Sequence, residues 1–208
     1  MSTITLSRVG GMKERLEVNP DIEQLNLSGQ NIIAINFAAI KNCSDLRVIN
    51  LRGNFLMGID TAPLIDCLNL TRMDLSYNKL SVVDLDFIGG CPNLEELRLN
   101  NNKLVRLDLN PLTTAAALEV LMLNDNRIIS LDLEPLKTAK SLQVLNLMNN
   151  RILKLDIGPL FHCSSLKQVM IAPETRLQSS IVRKLTQPNP EPLNELLREM
   201  RIKFVLDA

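Results

Sequence analysis

The 208-residue sequence has no tryptophan, one tyrosine (Tyr77), one histidine (His162) and only 3% aromatic residues. Large rings therefore cannot fill its interior, and leucine has to do so instead. Formal net charge is zero, from 23 basic and 23 acidic side chains. That balance lacks the basic footprint of a general nucleic-acid binder or of a protein drawn to acidic lipid. No apolar run approaches the roughly 18 residues that a membrane span needs. The opening MSTITLSRVGGMKERLEVNP is too polar to read as a secretion signal. His162 has no in-phase partner for metal binding or proton transfer, and no Gly-rich phosphate loop, Ser/His/Asp set or paired metal ligands stand out. The expectation is a chain with no catalytic residues, no metal and no cofactor.

What the sequence does have is a period. The pattern Leu-x-x-Leu-x-Leu-x-x-Asn-x-Leu starts at Ile22, Leu46, Leu70, Leu94, Leu118, Leu142 and Leu166, in uninterrupted steps of 24 residues. A fixed period of this size marks a solenoid, in which each unit buries its apolar face against its neighbours. The clearest copies are LTRMDLSYNKL (70–80), LEELRLNNNKL (94–104), LEVLMLNDNRI (118–128) and LQVLNLMNNRI (142–152).

This motif resembles the leucine-rich repeat, over roughly residues 22–175. The resemblance implies an α/β repeat fold: a right-handed solenoid curved into an arc. One short parallel strand per repeat would line the concave face, with turns and short 3-10 or α helices on the convex face. The chain then divides into an N-terminal cap (1–21), seven repeats of which the last is degenerate (22–175), and a C-terminal cap (176–208). Within the caps, helices are expected at MKERLEV (12–18), SSIVRKL (179–185) and LNELLREM (193–200), and a strand at IKFVL (202–206).

Strand alternation places Leu97 and Leu99 inward and Glu96, Arg98 and Asn100 outward. An asparagine recurs as Asn54, Asn78, Asn102, Asn126 and Asn150. A buried amide needs partners, so these five are expected to bond turn backbone coil after coil, while Asn100 and Asn101 lie on or beside the open surface. A second column, Asp60, Asp84, Asp108, Asp132 and Asp156, precedes a proline in most repeats. It suits a turn in which the carboxylate accepts backbone N–H groups, and the proline suits the first turn of a short helix. Lys79, Lys103, Arg127 and Arg151 form a basic row near that edge.

The four cysteines (43, 67, 91, 163) share one position of the repeat, where Ala115 and Ala139 stand in two others. That is a small apolar slot rather than a disulfide framework. Free thiols suit a reducing compartment, so the cytoplasm is expected, with the nucleus as alternative. Three glycosylation sequons at Asn26, Asn42 and Asn69 point weakly the other way.

Function must then reside on the face displayed by the scaffold. The outward columns carry a charged cluster of Arg52, Arg72, Asp74, Glu96 and Arg98 with Tyr77 at its edge. Further along lies an apolar patch of Val120, Met122, Val144, Met148 and Met170, together with Asn146. Tyr and Arg are enriched in binding hot spots, and Met adapts to irregular surfaces. The resemblance implies a non-enzymatic module, expected as a monomer, that binds a protein partner on its concave sheet. The alternative is a regulatory subunit or inhibitor of an enzyme such as a phosphatase. An RNA-associated role of the spliceosomal type is less favoured, given the neutral charge and sparse aromatics.

Overall fold

The computed structural model describes residues 2–40, 43–179 and 203–204. In chain order its strands are β1 (Ser2–Arg8), β2 (Lys13–Val18), β3 (Gln24–Asn26), β4 (Ile32–Asn36), β5 (Val48–Asn50), β6 (Arg72–Asp74) and β7 (Glu96–Arg98). They continue with β8 (Val120–Met122), β9 (Val144–Asn146), β10 (Lys154–Asp156), β11 (Gln168–Met170), β12 (Arg176–Ser179) and β13 (Lys203–Phe204). Seven of these, one from each repeat, form a parallel sheet in the order β11-β9-β8-β7-β6-β5-β3. Each pairs with its equivalent one period on, as in Leu97↔Leu121. The chain is a leucine-rich-repeat solenoid.

Within a coil the central strand residue and the leucine two positions later point inward. Leu97 and Leu99, like their equivalents Leu121 and Leu123, are fully buried in one continuous core. The chain then turns through a left-handed residue, occupied in successive coils by Gly29, Gly53, Tyr77, Asn101, Asp125 and Asn149. Gly, Asn and Asp enter that region most readily.

The asparagine column closes the turn as expected. Asn102 Oδ1 accepts the Leu80 N–H at 3.0 Å, while its Nδ2 donates to Leu75 O at 2.9 Å and Leu99 O at 3.1 Å. Asn54, Asn78, Asn126 and Asn150 make the equivalent bonds. Each amide thus pins one coil to the preceding one.

On the far side five successive coils make a five-residue 3-10 helix, such as Asn110–Thr114 and Glu134–Thr138, with proline in the first turn of all but Asp86–Gly90. The aspartate ahead of it accepts a backbone N–H. Asp108 Oδ1 takes the Asn110 N–H at 2.9 Å, and Asp60, Asp84, Asp132 and Asp156 repeat the contact. The residue after the helix is Cys67, Cys91, Ala115, Ala139 or Cys163, whose backbone N–H caps it.

The N-terminal end differs from expectation. MKERLEV is not a helix: Lys13–Val18 is strand β2, antiparallel to β1, which in turn pairs with β4 of the first coil. Its helix-favouring Lys, Glu, Arg and Leu are overridden by pairing. Ile4 and Leu6 of β1 alternate into the core, as does Val18 of β2. Gly10 and Gly11, both at positive φ, turn the hairpin; two glycines between alternating runs are a hairpin signal. Arg8 pairs with Glu14 across the hairpin and ties it to the first coil through the Gln30 side chain.

At the other end β12 pairs in parallel with β10, and β13 with β12. The expected strand at 202–206 is therefore present at Lys203–Phe204; of the helices expected at 179–185 and 193–200, Ser179 instead ends β12 and the rest lies outside the described residues.

Candidate functional site

The inner face of the seven-stranded sheet displays the side chains that flank each buried strand residue. Arg52, Arg72 and Tyr77 are exposed there, and Asp74, Glu96 and Arg98 are half-buried. Arg72, Asp74, Glu96 and Arg98 border one depression, and Arg52 and Tyr77 form a separate stacked pair. Arg98 pairs with Glu96. The Arg52 guanidinium lies 4.0 Å from the Tyr77 ring centroid and donates to Ser76 Oγ at 2.8 Å. Asp74 Oδ1 accepts the Ser76 N–H at 2.8 Å.

Between these side chains lies a depression of about 170 Å³, lined by Val48, Asn50, Arg72, Asp74, Glu96 and Arg98 among others. Small-molecule pockets usually enclose roughly 300–1,000 Å³. This one, at about 170 Å³, lies below that range.

The structure separates the other expected face residues by depth. Val120, Met122, Val144, Met148 and Met170 line the same face but are half-buried, so the apolar patch is shallower than alternation alone implies. Asn146 is only 8% exposed, with its Oδ1 accepting the Met148 N–H at 3.0 Å. Asn100, placed at the open surface by its sequence, is also 8% exposed. The cause is common to both: in a tightly stacked sheet, side chains of the coils on either side cover a short residue. The Asn100 and Asn124 Oδ1 atoms, equivalent atoms one coil apart, accept no hydrogen bond among the described residues.

One residue carries more than its sequence position suggests. Tyr77 occupies the left-handed turn position at φ 56°, where the other coils have Gly, Asn or Asp. A bulky residue there carries a conformational cost of roughly 1–2 kcal/mol. The sequence signal was available: a tyrosine standing in a column of small turn formers.

The four cysteines are unpaired and buried. Burial raises all four thiols, Cys67 and Cys163 to about 11 and Cys91 to about 12. They are packing groups rather than nucleophiles. Among the described residues no cluster of His, Cys, Asp or Glu has the arrangement to hold a metal ion, and no helix there is long and apolar enough to cross a membrane.

The leucine rich repeat family model matches residues 68–113. Among solved structures, internalin C2 from Listeria monocytogenes is similar at 25% identity and a TM-score of 0.63, over 77% of this chain and 66% of that one. An internalin, inlF, from the same organism is similar at 21% identity and a TM-score of 0.54, over 76% and 50%. The leucine-rich repeat domain of APL1B is similar at 24% identity and a TM-score of 0.59, over 76% and 43%. No curated protein sequence matches the chain. The chain covers less than two thirds of each of these three structures' chains. By repeat and fold it is a leucine-rich-repeat protein. Proteins of this class are in general protein-interaction modules and typically non-enzymatic.

Proposed function

We propose that the chain is a non-enzymatic recognition module that binds a partner protein on its concave sheet, centred on Arg52, Arg72, Tyr77 and Arg98. The observation that carries this reading is Tyr77. A half-exposed aromatic ring held at positive φ is a strained choice, and strain of this kind gathers at binding and switch sites. Its ring lies under Arg52, and Tyr and Arg are among the residue types enriched in binding hot spots. The unpaired, buried thiols support a reducing compartment, and we place the protein in the cytoplasm.

The test is quantitative capture from cytosol by wild type, by Tyr77→Asn and by Arg72→Glu/Arg98→Glu/Met122→Glu. All three should keep the same circular dichroism spectrum. A partner retained by wild type and lost by both variants supports the concave face. If that partner is an enzyme whose activity changes on addition of the protein, the module is a regulatory subunit. Equal capture by all three sinks the reading.

A further inference from the structure

Outside the concave sheet, each coil leaves the buried asparagine and descends along one flank of the solenoid. Two positions in that segment face outward, and in five successive coils an apolar residue occupies one of them: Met57, Val82, Val105, Ile129 and Leu153. They are 41% to 74% exposed. Four of them share one column of the repeat, and in the remaining coil Val82 stands beside Ser81. Single exposed apolar residues need no explanation, but a row continuous over five coils marks an interaction surface.

The row has a charged border on each side. Toward the sheet run Lys79, Lys103, Arg127 and Arg151, all exposed. Lys79 lies 4.4 Å from the Phe55 ring centroid. Lys103, Arg127 and Arg151 form no ion pair among the described residues. Like charges on successive coils repel one another, which favours an external counter-charge. Toward the 3-10 helices run the exposed carboxylates Asp84, Asp108 and Asp132. Between the coils of Val82 and Val105 the surface opens into a groove of about 790 Å³, floored by Val83 and Leu107 and reaching Pro111.

We propose that this flank binds an amphipathic α-helix of a partner protein, laid along the solenoid axis. Its carboxylates face the Lys/Arg row and its basic groups face the Asp row. The spacing is the physical reason for a helix. Stacked coils recur every 4.7–4.9 Å or so along the strand ladder, and an α-helix rises about 5.4 Å per turn. A helix along the axis therefore offers roughly one apolar residue per coil, at i, i+4, i+7 and i+11, which is the usual way a helix docks in an apolar groove. An extended strand in the same direction would advance about 3.3 Å per residue and drift out of step.

The probe is a synthetic, fluorescein-labelled alanine-based helical peptide with leucine once per turn, glutamate along one shoulder and lysine along the other. Fluorescence anisotropy at low salt should show saturable binding to the wild-type chain. Val105→Asp/Ile129→Asp should weaken it at least tenfold. Lys103→Glu/Arg127→Glu should do the same, with recovery when the peptide's glutamates are replaced by lysine. Arg72→Glu/Arg98→Glu/Met122→Glu on the concave face should bind the peptide as wild type does, which separates this site from the one proposed above. The proposal is overturned if wild type shows no saturable binding, or if both flank variants bind normally. It is equally overturned if wild type sediments as a dimer that Val105→Asp/Ile129→Asp converts to monomer, because the occupant would then be a second copy.

Discussion

Asn102 and Asp108 belong to the same coil and recur with the same period, yet one is interior and the other lies at the surface. Asn102 makes bonds that link two coils and satisfy backbone shielded from water. Asp108 makes one bond, to a backbone N–H two residues on, with its carboxylate at the surface. Equal regularity in the sequence thus conceals unequal energetic weight. A polar group matters most where water cannot replace the partner it would lose.

The contrast between interior and surface can be tested at four depths. The largest effect concerns the thiols. Native protein at pH 8 should resist a thiol reagent, while protein unfolded in guanidinium should titrate four groups. The unfolded chain loses its thiol protons near the ordinary value of 9.0, whereas folding holds Cys67 and Cys163 protonated to about 11 and Cys91 to about 12. Stability from this source is complete below pH 9 and declines as pH rises through 11 to 12. Urea midpoints measured from pH 8 upward should fall across that window; a flat profile would mean that the thiols reach solvent.

Asn102→Ala comes next. It strands the Leu80 N–H inside the solenoid, while the Leu75 and Leu99 carbonyls each keep a bond from the Asn78 or Asn126 amide, and the expected loss is about 2 kcal/mol in chemical denaturation. Asp108→Ala removes one cap at a wet turn and should cost about 1 kcal/mol. Equal values for the two would erase the difference between the columns.

Tyr77→Asn has the smallest expected effect on stability, and the opposite sign. Relief of the left-handed strain, of order 1 kcal/mol, is partly offset by loss of the exposed stack with Arg52, worth about 0.5 kcal/mol. A net gain near 0.5 kcal/mol accompanied by weaker partner binding is the signature of strain held for recognition. A loss of stability would make Tyr77 an ordinary structural residue.

The contrast also shows what could be read in advance. The columns were legible because a strict period assigns every residue to a place in the coil. Asn102 as an interior amide, Asp108 as a turn acceptor and the cysteine column as a small slot followed from that assignment. MKERLEV was misleading because helix propensity is weak beside pairing with Ser2–Arg8, whose own alternation and the Gly10–Gly11 turn carried the better signal. Asn100 and Asn146 were misjudged for a different reason. Alternation tells which side of a strand a residue occupies, whereas its depth depends on the size of the neighbours one coil away. The flank row went unnoticed because Met57, Val105, Ile129 and Leu153 look like ordinary core positions in any single repeat.

The sequence by itself determined the number of coils, the strand in each and the residues that hold successive coils together. Those properties depend on a period of 24 residues and on the requirement that each unit bury its apolar side against the next. Only the tertiary structure decided which outward residues meet water, that Tyr77 sits in a strained turn beneath Arg52, and that four apolar side chains in one column of the repeat form one surface with Val82. Neighbours in that surface are related by stacking, and stacking brings together residues that the chain keeps a full coil apart.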